Sequence, residues 1–387
     1  MKLANRLNRL GTETAFDVLV KAKALEAQGR EIIHLEIGEP DFHTPSNIIE
    51  AGAQAMHQGY THYCASSGLY ELREAIAAEI SRTRGVTVDP DWVVVTPGAK
   101  PIMFYLILAL VEEGDEVIYP NPGFPIYESM INFVGGTAVP LPLLEKYDFR
   151  FEVKDLLSKV SAKTKLIIIN SPQNPTGGLL TKTDLEAIAA IAIRQDIMIL
   201  SDEIYSRIIY EGSHLSIASL AGMLERTVIL DGFSKTYAMT GWRLGFGVMP
   251  PGLQAHISKL VTNSVSCTAP FTQRAGLEAL AGAQSEVHHM VAEFRRRRDF
   301  IVRGLNEIPG IRCLCPSGAF YAFPNIQSFG KTSNELADYL LQEAGVAVLS
   351  GTSFGQHGEG YLRISYANSI ENLGKALDRI KEATARL

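Results

Sequence analysis

The sequence predicts an α/β protein: a large domain on a mostly parallel sheet flanked by helices, and a smaller α+β domain. Three observations carry this expectation. Apolar runs such as residues 165–170 (KLIIIN) and 197–200 (IMIL) lack polar alternation, as strands covered on both faces do. Helical patterns such as residues 182–195 fall between these runs, the arrangement that parallel crossovers need. Beyond residue 285 or so the pattern changes to a long helix followed by short strands.

Taken in order, residues 17–28 read as an amphipathic helix on Val18, Leu19, Ala22 and Leu25. A short strand from Ile32 to Ile37 enters the turn Gly38-Glu39-Pro40-Asp41-Phe42. Leu69, Leu72, Ile76 and Ile80 recur at helical spacing behind Ser66-Ser67-Gly68. Strands are expected at 92–96, 115–119, 137–141, 165–170, 196–201, 226–230 and 244–249, with a helix at 101–111 after the first. Next come a helix at 286–307, strands near 311–315, 319–323, 346–350 and 361–366, and helices at 333–345 and 370–386. The expected division is an N-terminal arm and helix (1–30), a large domain (44–284), and a small domain joining 31–43 to 285–387. There is no internal repeat, low-complexity tract or long linker.

At 387 residues, with 46% hydrophobic and 20% charged residues, the chain has ordinary globular composition and length for a sizeable core. Its net charge of −6 gives no reason to expect a nucleic acid. The one basic cluster, Arg295 to Arg298, lies in a helical pattern and reads as a solvated helix face. The pair Cys313 and Cys315 lacks the spacing and partners of a zinc or redox site, so the four cysteines read as free thiols in a reducing compartment. The first residues lack the apolar core of a signal peptide, and the apolar stretch from Ile102 to Val111 is too short to span a bilayer. A cytoplasmic protein without membrane or metal partners is expected.

The chemistry gathers at strand ends, where ligands collect in open parallel sheets. KLIIIN runs into Ser171-Pro172-Gln173-Asn174-Pro175-Thr176-Gly177, IMILS into Asp202-Glu203-Ile204-Tyr205, and TVIL into Asp231-Gly232-Phe233-Ser234-Lys235. An amide, a carboxylate, a phenol and an amine thus converge on one crevice. Arg243 follows Lys235 by eight residues, just before the last strand of the group. A lysine flanked by glycine and serine suits a Schiff base with an aldehyde cofactor, and a nearby guanidinium suits that cofactor's phosphate. The run Pro97-Gly98-Ala99-Lys100 at a helix start offers backbone N–H groups to the same anion.

These motifs resemble those of the class I and II aminotransferases, pyridoxal-phosphate enzymes of fold type I, over essentially the whole chain from Leu35 to Tyr366. The resemblance implies that Lys235 forms the internal aldimine with pyridoxal 5′-phosphate and moves the substrate's Cα proton. Asp202 would oppose the pyridine nitrogen, and Asn174 and Tyr205 would hydrogen-bond the ring's phenolic oxygen. Gly98, Ala99, Ser234 and Arg243 would hold the phosphate, joined by Tyr63 from a second subunit, and Phe124 would stack on the ring. Arg363 would clamp the substrate's α-carboxylate, with Asn174 and the Gly38 backbone assisting. Lys100 stays open between the phosphate and a substrate's distal carboxylate. Relatives that use acidic substrates carry a lysine near the position of Gly11, which counts against an aspartate or prephenate substrate.

The implied activity is a ping-pong exchange of an amino group between an L-amino acid and a 2-oxo acid, in a homodimer with shared active sites. A pyridoxal-phosphate lyase, of C–S lyase or decarboxylase type, could use the same fold. A nucleotide-binding loop around Lys235 is excluded, because Ser234 and Leu230 stand where that loop needs glycines. A cofactor-binding regulator would carry a DNA-binding module, and only ~30 residues precede Leu35.

Overall fold

The structure, a computed structural model, describes residues 1–387. Helix α1 (Thr14–Glu26) opens the chain and leads to the two-residue strand β1 (Ile33–His34). Helices α2 (Ser46–His57) and α3 (Tyr70–Arg84) follow, and α3 stops at Gly85, whose φ of 67° is a left-handed turn that glycine adopts without penalty.

The central sheet has seven strands: β2 (Val93–Thr96), β3 (Glu116–Asn121), β4 (Thr137–Pro142), β5 (Thr164–Asn170), β6 (Met198–Asp202), β7 (Thr227–Gly232) and β8 (Gly245–Val248). Their order is β2-β8-β7-β6-β5-β3-β4, and only β8 runs antiparallel to its neighbours. Each expected strand of this sheet forms within two residues of its expected bounds. Helices α4 (Lys100–Leu110), α5 (Ile126–Val134), α6 (Val153–Lys159) and α7 (Lys182–Gln195) connect the strands. A reciprocal capping box between Thr181 and Asp184 starts α7.

Alternation on the strands explains their uniformly apolar sequence. Val93 and Val95 enter one core and Val94 the opposite one; Ile167 and Ile169 are likewise separated from Leu166 and Ile168. Both faces are dry, so neither carries a polar stripe.

After β8 come α8 (Pro251–Ser264), α9 (Pro270–Ala281) and the long α10 (Ser285–Asn306). The remaining elements are β9 (Tyr321–Ala322), α11 (Ser333–Tyr339), β10 (Val346–Ala347), β11 (Leu349–Ser350), β12 (Leu362–Ser365) and α12 (Ile370–Thr384). β1 pairs parallel with β10, and β11-β12-β9 form a small antiparallel sheet over a separate core.

Four expectations are corrected here. Residues 311–315 form no strand, because Asn306 occupies both the N–H and the C=O of Cys313 at 2.9 Å and removes them from pairing. Residues 346–350 make two strands in two sheets, one pairing with β1 and the other with β12. The helix at 333–345 turns to π geometry over Leu340–Ala344 and ends at Gly345. Lastly, the arginine run is only half solvated. Arg297 and Arg298 are buried, Arg297 bonding Asp41 at 2.6 Å and Arg298 bonding Glu211 and Asp299. No helix is long and apolar enough to cross a membrane.

Candidate active site

The ends of β2, β5, β6 and β7 and the start of α4 open into one cavity of about 380 Å³, closed on the far side by β9, β12 and the loop before α2. Of the expected residues, Gly38, Ala99, Lys100, Phe124, Asn174, Asp202, Tyr205, Ser234, Lys235, Arg243 and Arg363 line it. Gly98 sits directly behind Ala99 and Arg243. Tyr63 does not line it; that side chain is 89% exposed on the outside of the chain.

Register brings the first group together. Asn170 and Asp202 are partners across β5 and β6, and the Asn170 amide donates to the Asp202 carbonyl at 3.0 Å. The other side of that amide accepts from the Asn174 backbone N–H at 2.9 Å, which fixes the turn carrying Asn174. The Asp202 carboxylate is buried and accepts from the Tyr127 hydroxyl at 2.5 Å and from Ile204 N–H at 3.3 Å. No cation of the chain pairs with it. Burial pushes its pKa up to about 6 despite those hydrogen bonds.

Lys235 points into the same space and donates to the Gly38 carbonyl at 2.6 Å. Desolvation lowers its pKa to about 8, with Arg363 and Arg243 adding to the fall against the opposing charge of Glu39. Gly38 is required because a Cβ there would stand 2.3 Å from the Tyr321 hydroxyl oxygen. Tyr321 in turn shares a 2.7 Å hydrogen bond with Tyr205.

At the cavity's other end Gly98 has φ of 84°, and a Cβ there would lie 2.2 Å from Arg243 Nη2. The guanidinium is held by the Thr240 carbonyl at 2.7 Å and lies against the Gly98-Ala99 turn and the N-terminus of α4. Backbone N–H groups, a hydroxyl (Ser234) and a guanidinium are the donor set of a phosphate cradle.

Arg363, on β12, is buried with its guanidinium 4.6 Å from the Tyr321 ring and 5.0 Å from the Phe354 ring. It donates to Asn174 Oδ1 at 3.4 Å and to the Glu36 carbonyl, while its Nε has no partner. Burial lowers its pKa from the usual arginine value. A buried cation with unused donors and no carboxylate partner is arranged for an incoming anion.

Beneath the site lies a charged platform that sequence reading missed. Arg84 of α3 donates to Glu203 at 2.8 Å and Asp231 at 2.6 Å, residues adjoining Asp202 and the Lys235 loop. Burial alone would raise the Glu203 pKa, but His214 and Arg84 hold it well below the carboxylate range. Tyr127, Asn170 and Glu13 were missed too. Tyr127 and Asn170 look like core residues in sequence. Glu13 lay outside the expected helix, which starts at Thr14 instead of residue 17 and so makes Glu13 its N-cap.

The residues fit the expected pyridoxal phosphate: a buried carboxylate without a cation, a desolvated amine, and a glycine-made cradle under a guanidinium. Comparison with known proteins agrees. The family described as Aminotransferase class I and II matches residues 30–380. The aspartate aminotransferase of Pyrococcus abyssi is 43% identical over 91% of this chain and 92% of its own length. Aromatic-amino-acid aminotransferase 2 of Thermococcus litoralis is 40% identical over 99% and 98%. Among solved structures, the aspartate aminotransferase from Thermus thermophilus with maleate superposes with a TM-score of 0.95 at 36% identity, covering 99% of this chain and 100% of that one.

Proposed function

The chain belongs to the class I and II aminotransferases, and from that membership we propose the part each cavity residue takes in moving an amino group. It is a pyridoxal-phosphate-dependent aminotransferase. When bound, the cofactor supplies an electrophilic carbon for the amine and a ring that accepts the electrons of a broken Cα–H bond.

Asp202 holds the positive charge of the ring nitrogen, a partner that removes the penalty of burying this carboxylate alone. Tyr127 and Ile204 keep its oxygens aimed. Lys235 is the attachment point and, when released, the base that carries the proton; its pKa near 8 leaves part of it neutral at working pH. Asn174 and Tyr205 donate toward the ring's phenolic oxygen, and Phe124 covers its face. Gly98, Ala99, Ser234 and Arg243 take the phosphate. Arg363 grips the α-carboxylate of the amino acid or 2-oxo acid, while Asn174 and the Gly38 backbone orient it.

Tyr63 completes the phosphate site of a second copy in a cytoplasmic homodimer. Its nearly full exposure outside the cavity supports that assignment, as four free cysteines support a reducing compartment. The chain divides into an arm (1–30), a large cofactor domain (44–284) and a small domain (31–43 with 285–387), supported by the β1–β10 pairing.

One observation carries the residue assignments: an unpaired buried carboxylate, Asp202, and a desolvated amine, Lys235, share one cavity. Borohydride reduction of the holoenzyme followed by peptide mapping tests it. The pyridoxyl label is expected on Lys235, and Lys235→Ala should lose both label and visible absorbance. A label on another lysine would end the assignment.

A further inference from the structure

Four charged groups of the cavity have partners in the reading above: Asp202, Lys235, Arg243 and Arg363. Three more line it and remain, namely Glu13, Glu39 and Lys100. Glu39 accepts a hydrogen bond from Thr240. Glu13 and Lys100 pair with each other, although 87 positions separate them.

The pair lines the same cavity as Lys235 and Arg363. Lys100 Nζ is 5.4 Å from the centre of the Phe124 ring. The charge of Glu13 acts on both Lys235 and Arg363. Glu13 occupies the N-cap position of α1, yet its side chain makes no capping hydrogen bond and turns to Lys100 instead. The segment before it is tied down, since Gly11 N–H donates to Ser129 Oγ at 2.9 Å and Arg9 to the Phe133 carbonyl at 3.2 Å. Thr14 beside it lines the cavity with its hydroxyl buried and unpartnered, and Ala15, Phe16 and Ile37 add apolar wall.

We infer that Glu13 is a specificity-determining residue: its carboxylate occupies Lys100 as an internal counter-charge, so the site favours amino acids with uncharged side chains over dicarboxylic ones. An uncharged side chain meets a neutralised pair and apolar surface. An acidic side chain has to displace Glu13 from Lys100 and then lie beside the displaced charge, and that repulsive element makes the discrimination. The inference rests on the aminotransferase reading of the cavity and adds the substrate class to it.

The test compares single-turnover half-reactions of the holoenzyme with L-aspartate and L-leucine, followed by the cofactor's absorbance. Glu13→Gln should raise the aspartate-to-leucine ratio of kcat/KM by ~5-fold or more, the scale of a freed, half-exposed lysine pairing with a carboxylate. Glu13→Ala should move the ratio in the same direction, and the Glu13→Gln/Lys100→Gln double variant should return it to the wild-type value. An unchanged ratio in both Glu13 variants overturns the inference, as does a rise that survives loss of Lys100. If the wild-type holoenzyme reacts with neither amino acid nor any other, the aminotransferase reading falls first.

Discussion

Tyr127 donates its hydroxyl hydrogen to the Asp202 carboxylate across 2.5 Å, both side chains buried at the floor of the cavity. The bond joins α5 to the end of β6 and is the strongest opposition to the desolvation that raises the Asp202 pKa. Tyr127→Phe removes it without changing the packing volume much. The Asp202 pKa should then climb above about 6; on the role proposed for the ionised carboxylate, cofactor affinity should be lost on acidification at a higher pH than in the wild type. Equilibrium cofactor titrations between pH 5 and 8 read this as an upward shift of the acidic limb.

Asp202→Asn should separate stability from function. The folded-state pKa of about 6 stands above the ordinary aspartate value of 3.8, so the cofactor-free fold binds this proton more tightly than the unfolded chain. The associated stability is present below the unfolded value and lost as pH rises through about 6. Asparagine carries no charge to bury, so the cofactor-free variant should gain up to ~3 kcal/mol at pH 8, a gain that vanishes below roughly pH 4. Urea denaturation at the two pH values measures it. Cofactor affinity should drop in the same variant.

Gly98→Ala places a methyl group 2.2 Å from the Arg243 guanidinium in a residue with φ of 84°. The backbone alone should lose ~1–2 kcal/mol. The larger effect should fall on phosphate binding, because the guanidinium has to move. Pyridoxal phosphate should weaken much more than pyridoxal, measured side by side by fluorescence titration.

Arg363→Lys retains charge but loses the planar fork. Amino-acid KM should rise by ~10-fold or more with cofactor still bound. Loss of cofactor from this variant would mean that Arg363 serves the ring or phosphate instead.

The Lys235 amine of the cofactor-free protein should react with an acylating reagent with a midpoint at about pH 8, set by its desolvation. Its folded pKa lies below 10.5, so the penalty of burying the ammonium is relieved as pH rises between those values. Peptide-resolved labelling against pH supplies the curve, and a midpoint near 10 would show a solvated amine.

Local pattern was enough for the seven strands of the main sheet, since alternating side chains bury on both faces and leave long apolar runs. It also put Asn174, Asp202 and Lys235 at or just beyond the ends of β5, β6 and β7, where polar residues interrupt those runs, and all three line one cavity. It failed at residues 311–315, where the side-chain amide of Asn306, seven positions before Cys313, takes the backbone groups a strand would use. It failed again at the arginine run, whose members Arg297 and Arg298 find carboxylates far away in the chain.

The amino-acid order by itself determined the fold class, the amine at 235, the carboxylate at 202 and the guanidiniums at 243 and 363, because each stands in a short motif whose spacing is local. Tertiary structure alone decided what those groups feel: the tyrosine on Asp202, the arginine beneath Glu203 and Asp231, and the glutamate on Lys100. Each of these contacts spans 75 or more positions. Coulomb and hydrogen-bond energies depend on distance and burial in space, which no local spacing of residues records.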